Sequence, residues 1–157
     1  MKATPQLIVM LTHNDCTVEN AHEIFRQCKD SDAKFWGFKE KPLPLPQMKA
    51  LYSYMKECGK TTLLEVVEYT EKECLEGAKM AAECGCDILM GTCFFDSVNS
   101  FCQENHLKYM PFVGKITGRP SVCLLYTSYF PSFAINCALF PALLTSCPPL
   151  PGYSSML

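Results

Sequence analysis

Apolar runs alternate with polar, helix-forming stretches along the first 122 residues, with a period of roughly 20–30 positions, the spacing of βα units. The clearest unit is Thr61 to Thr92, TTLLEVVEYTEKECLEGAKMAAECGCDILMGT. TTLLEVV is apolar and β-branched, as a strand buried on both faces must be. Thr70, with Glu73 three positions on, predicts a capping box that satisfies free N–H groups at a helix start. Leu75, Ala78, Ala81 and Ala82 follow at helical spacing, and Gly85 stands where a left-handed C-cap is needed. CDILMGT then predicts a returning strand. A strand that leaves through a helix and comes back is a right-handed crossover, so the two strands should be parallel.

The pattern extends both ways. Gln6 to Thr12 reads as a first strand, and Thr17 as the cap of a helix with Val18, Ala21, Ile24, Phe25 and Cys28 on its apolar stripe. Ala33 to Phe38 is a second strand. KPLPLP is a loop whose Pro46 suits the first turn of a helix carrying Met48, Leu51, Tyr52 and Met55 and stopping at Gly59. Beyond the central unit, a short helix capped at Asp96 or Ser97 and a strand in LKYMPFVG complete five units. KECGKT (56–61) and AECGCD (82–87) hold the same place in successive units. This is the organisation of an α/β fold, either a barrel or an open sheet.

Composition changes the picture at one place. After Arg119 no charged residue remains, and the stretch from Pro120 to Leu157 holds six prolines without strand or helix periodicity. The expected division is therefore 1–122 as a partial barrel domain and 123–157 as an apolar, Pro-rich tail. Three readings of the tail compete: a membrane anchor, a hydrophobic loop region, or sequence that is not native coding. Phe133 to Leu144 is short of the roughly 20 apolar residues a spanning helix needs and lacks basic flanks. Cys123-Leu-Leu-Tyr-Thr-Ser128 resembles the translated transposon end of sequencing-library adapters, which favours the third reading.

Net charge is −2, which gives no electrostatic reason to expect nucleic acid or an anionic membrane as partner. The 11 cysteines, without an evident export signal, predict reduced thiols in a cytoplasmic setting rather than a disulfide framework. Cys84, Cys86 and Cys93 lack the paired spacing of a zinc site.

THNDCTVENAHEIF, FWGFKEKPLP, the central unit and YMPFVGKITGRPSV together resemble the first five units of a bacterial (β/α)₈ barrel group. That group is similar to the ribulose-phosphate-binding barrels: aldolases, decarboxylases, epimerases and isomerases. The resemblance covers residues 2–122 and implies a truncated TIM-type barrel of about five parallel βα units. It also implies a lyase or isomerase acting on a small phosphorylated sugar or keto acid through an enolate-type intermediate. Such barrels grip phosphate with loops after strands 7 and 8, which have no counterpart here, so weak phosphate binding and little activity are expected. Open barrel edges would favour homo-oligomers or aggregates. The alternative is a non-catalytic fragment whose apolar tail meets a partner or membrane.

In a parallel barrel the active groups stand at the C-terminal ends of strands. Those ends supply His13, Asn14 and Asp15; Lys39 and Glu40; Glu65; Gly91 and Thr92; Gly114 and Lys115; then Arg119 and Ser121. Glu65 interrupts an apolar strand, where a carboxylate is costly unless paired or facing the barrel mouth. Lys39 could reach across to it, so Lys39, Glu65 and Asp15 form the expected catalytic set. Glu65 would transfer the proton, and Lys39 would stabilise an enediolate or form a Schiff base. Asn14 and Asp15 would orient substrate, hold Mg²⁺ with Glu65, or cap the first helix. Arg119 and Ser121 could bind phosphate, and Thr92 and Lys115 complete the expected substrate contacts. The decarboxylase branch has an Asp-x-Lys pair on strand 3, whereas here Glu65 is followed by Val67 and the lysine lies on strand 2.

Overall fold

The computed structural model describes residues 6–112, 115–118 and 121–123. Five strands, β1 (Ile8–Met10), β4 (Phe35–Lys39), β5 (Thr61–Glu65), β6 (Ile88–Met90) and β7 (Lys108–Met110), form one sheet in that spatial order. Every neighbouring pair is parallel. Chain order and spatial order coincide, so each crossover moves to the same side of the strand before it. Right-handed crossovers then place the helices α1 (Ala21–Cys28), α2 (Leu45–Glu57), α3 (Glu71–Cys84) and α4 (Asp96–Glu104) on one face. This is the arrangement of a partial α/β barrel.

Two short antiparallel hairpins lie outside that sheet: β2 (Thr12–His13) with β3 (Cys16–Thr17), and β8 (Lys115–Gly118) with β9 (Ser121–Cys123). The tail from residue 124 onward, and with it each reading of that tail, lies outside the described residues.

Strand alternation divides the side chains into two layers. Trp36, Phe38, Leu64, Val66, Leu89 and Tyr109 meet Phe25, Met48, Leu51, Tyr52, Met55, Ala78, Ala81, Val98 and Cys102 of the helices in one core. Phe38 stacks on Tyr52 at 4.3 Å between centroids, and Phe25 meets Trp36 edge-on at 5.2 Å. The buried Tyr52 hydroxyl donates to the Leu63 carbonyl at 2.8 Å, so its polar tip is satisfied. The opposite face carries Met10, Gly37, Leu63 and Ile88, with Leu63 and Ile88 also buried. Gly37 is required there: a Cβ would stand 2.7 Å from the Leu63 carbonyl oxygen and 3.0 Å from Met10 Sδ.

Helix ends show which capping expectations hold. Thr70 caps α3, its Oγ1 accepting from the Glu73 N–H at 3.3 Å, and Gly85 closes the helix at φ +71. The reciprocal half of the box is altered, because the Glu73 carboxylate takes the Thr70 hydroxyl at 2.6 Å. Proline in the first turn of α2 and positive φ at Gly59 also match the sequence pattern.

Four local expectations are corrected. Thr17 does not cap α1, which begins after Asn20 without a side-chain cap. Asn14 and Asp15 do not cap it either; both have positive φ, +48 and +63, and form the two-residue turn of the β2–β3 hairpin. Two central residues with positive φ are what a type I′ turn demands, and Asn and Asp tolerate them. Asp96 is the first residue of α4, after Phe95, and no side chain caps it. Cys28 is exposed rather than on the buried stripe of α1. On α3, Ala78 and Ala81 are buried as expected, joined by Cys74, Gly77 and Cys84, and Leu75 is partly buried against the same core.

Candidate active site

Lys39 and Glu65 are register partners at the carboxyl ends of adjacent strands. Their side chains share a sheet face, and Lys39 Nζ lies 3.9 Å from Glu65 Oε2. The same ammonium donates to Asp15 Oδ1. Lys39 is 9% exposed, an unusual state for a lysine and one that its two carboxylate partners make tolerable.

The β2–β3 hairpin brings Asp15 to this position. Thr17 Oγ1 accepts from the Lys39 N–H at 2.8 Å and donates to the Lys39 carbonyl at 2.7 Å. The Thr17 N–H donates to the Lys41 carbonyl at 2.9 Å. These three bonds tie the hairpin to the end of β4, and its Asn14–Asp15 turn stands at the site. Asp15 itself is 83% exposed, so the pair is open to solvent on one side.

The electrostatics of the two groups differ. Burial alone would pull Lys39 down, but the Asp15 hydrogen bond and the charges of Glu65, Asp15 and Glu40 outweigh it. Its ammonium is held above the ordinary lysine value, which fits a fixed cation and opposes the Schiff-base role. Burial pushes the Glu65 carboxyl up; Lys39 works against that, and Asp15 and Glu40 add to the rise. Glu65 is thus moved toward neutral pH, where a general base is most effective.

The amino end of the sheet is built differently. Asp87, just before β6, accepts from the Thr62 N–H and hydroxyl at 2.8 Å each and meets Lys56 Nζ at 2.9 Å. Although burial opposes it, these bonds hold the Asp87 carboxyl below its usual value. Satisfied bonds mark that end as structural, whereas the perturbed pair makes the carboxyl end the candidate site.

The remaining expected contacts are dispersed. Thr92 is fully buried, and its hydroxyl is engaged by Tyr109 at 2.9 Å. Lys115 and Ser121 stand on the β8–β9 hairpin, off the five-stranded sheet, and Arg119 lies outside the described residues. Asn14 sits beside Asp15 in the hairpin turn. The Lys39 ammonium touches both Asp15 and Glu65, the pair expected to hold Mg²⁺. Among the described residues no group of three or more His, Cys, Asp or Glu could hold a metal ion. Sequence reasoning missed the clamp by Thr17. Its signal was the Asn14-Asp15 pair between Thr12-His13 and Cys16-Thr17, the spacing of a two-residue hairpin.

No protein-family model and no curated protein sequence matches the chain. Among the described residues no helix is long and apolar enough to cross a membrane.

Proposed function

We propose that the chain belongs to a lyase or isomerase that transfers a proton beside a carbonyl group of a small phosphorylated sugar or keto acid. The observation that carries this reading is the buried Lys39 ammonium facing Glu65 and Asp15 at the carboxyl edge of a parallel sheet. Glu65 removes the proton next to the carbonyl, and the C–H electron pair becomes the carbon–carbon double bond of an enolate. The displaced carbonyl electrons settle on oxygen, where the Lys39 ammonium meets the new negative charge. Return of the proton from Glu65 to a different carbon would give isomerisation. If the carbonyl re-forms and the enolate electron pair instead expels a substituent from the next carbon, which departs with its bonding electrons, the result is lyase chemistry.

Asp15 keeps Lys39 charged and aimed, and Asn14 borders the same opening. Arg119, Ser121 and Lys115 are the groups proposed to meet the phosphate. Exchange of carbonyl-adjacent protons tests the reading directly, because it needs the proton-transfer pair but no complete turnover. Dihydroxyacetone phosphate and pyruvate at millimolar concentration in D₂O should lose their C–H proton signals with the chain. E65Q and K39A should abolish that loss while the fold is kept. Absence of exchange for both compounds overturns the reading.

A further inference from the structure

The hairpin that carries Asp15 meets β4 where β1 no longer runs beside it. In a parallel sheet alternate residues of a strand turn their N–H and C=O to the same neighbour. Gly37 turns to the β1 side, its carbonyl accepting from the Leu11 N–H at 2.8 Å. Lys39 turns to that side as well, but the chain has left the sheet by then and entered β2 at Thr12. Thr17 takes the place of the strand. Its hydroxyl accepts from the Lys39 N–H and donates to the Lys39 carbonyl, so one side chain makes both bonds that a neighbouring strand would make. The Thr17 N–H continues the line to the Lys41 carbonyl at 2.9 Å. Thr17 is buried, which shields these bonds from competing water.

We infer that Thr17 is a positioning residue: standing in for the missing strand, it fixes β3 along the end of β4 and so sets Asp15 against the Lys39 ammonium. The link from clamp to carboxylate is short. Only Cys16 lies between them, and the turn at Asn14 and Asp15 closes the hairpin. Asp15 is largely exposed, and an exposed ion pair gains little because two side chains must be ordered to hold it. Fixing the Asp15 backbone removes part of that cost. Lys39 thus answers to one hairpin twice, through its backbone to Thr17 and through its ammonium to Asp15.

The consequence for catalysis rests on the proton-transfer reading; the placing of Asp15 does not, and two readouts on the full chain separate them. Against burial, the Asp15 bond helps hold the Lys39 ammonium above its ordinary value. Losing that bond lowers the Lys39 midpoint, which ¹³C NMR of the lysine side chain follows. In T17A the midpoint should fall to that of D15N, and T17S, which keeps the hydroxyl, should hold it at that of the unmodified chain. A glycine inserted between Asp15 and Cys16 enters exposed sequence that accepts it without loss of the fold. It moves Asp15 off the clamp and should lower the midpoint equally. Proton exchange of dihydroxyacetone phosphate in D₂O should slow about tenfold to a hundredfold in T17A, the cost of a misplaced reacting group, with D15N adding little in the same chain. A merely structural Thr17 would lower stability and leave the Lys39 midpoint where it was. A midpoint unchanged in the insertion variant, or in a folded T17A, overturns the positioning role. Absence of exchange by the unmodified chain, with the Lys39 midpoints as described, removes the proton-transfer reading and leaves the positioning role standing.

Discussion

Replacing Lys39 by methionine removes the ammonium while keeping most of the apolar stem, and Glu65 should report the loss. At 3.9 Å and an effective dielectric near 20, the Lys39–Glu65 attraction is about 4 kcal/mol before screening. Glu65 keeps 22% side-chain exposure, so water weakens this to about 1–2 kcal/mol, or about one pH unit. In Lys39→Met the influence that lowers Glu65 disappears, and burial, Asp15 and Glu40 all push it up. A carboxyl raised by folding contributes stability below its unfolded value, near 4, that is lost as pH rises through the folded one. The variant should therefore be least destabilised near pH 4 and progressively more so toward pH 7. Side-chain ¹³C NMR of glutamate carboxyls gives the titration, and urea unfolding at several pH values gives the stability. A Glu65 midpoint that stays fixed or falls would refute the facing arrangement.

Gly37→Ala should destabilise by about 1–3 kcal/mol, because the methyl meets the Leu63 backbone oxygen at 2.7 Å and that atom cannot retreat; an unchanged urea midpoint would place Gly37 elsewhere. Asp87→Asn should cost about 1 kcal/mol at neutral pH. Folding lowers the Asp87 carboxyl, so its contribution is present above its ordinary value of 3.8 and lost as pH falls. The difference from the unmodified chain should therefore shrink in acid, which pH-dependent unfolding measures. Among the cysteines from Cys16 to Cys102, the exposed Cys16 and Cys28 should be alkylated first. Burial raises Cys74, Cys84 and Cys102 to about 11 and Cys86 to about 12, so these should resist until unfolding, as peptide mass spectrometry would show.

The parallel sheet was legible because its signals are local and redundant. Leu63 and Leu64 in a β-branched run, the Thr70 cap and the left-handed Gly85 each specify one step of the same crossover. Glu65 was legible for a different reason: a carboxylate inside an apolar strand needs a partner, and the preceding strand offered Lys39. What escaped was set by tertiary context. Thr17 looks like a helix cap in sequence, but its hydroxyl is better satisfied by the two backbone groups of Lys39. Asn14 and Asp15 favour caps and tight turns alike, and only the antiparallel pairing of Thr12 with Thr17 decides between them. On α3 the alanines Ala78 and Ala81 were legible, while Cys74, Gly77 and Cys84, which complete the buried stripe, carry no strong apolar signal. Gly77 is close-packed there, with a Cβ position 2.5 Å from Val66 Cγ1.

The central claim is that Lys39 and Glu65 act on each other across adjacent parallel strands. A double-mutant cycle on stability at pH 7, using Lys39→Met, Glu65→Gln and the pair, measures that directly. The structure predicts a coupling of about 1–2 kcal/mol, with the double variant less destabilised than the two single effects combined. Additivity within about 0.3 kcal/mol would contradict it.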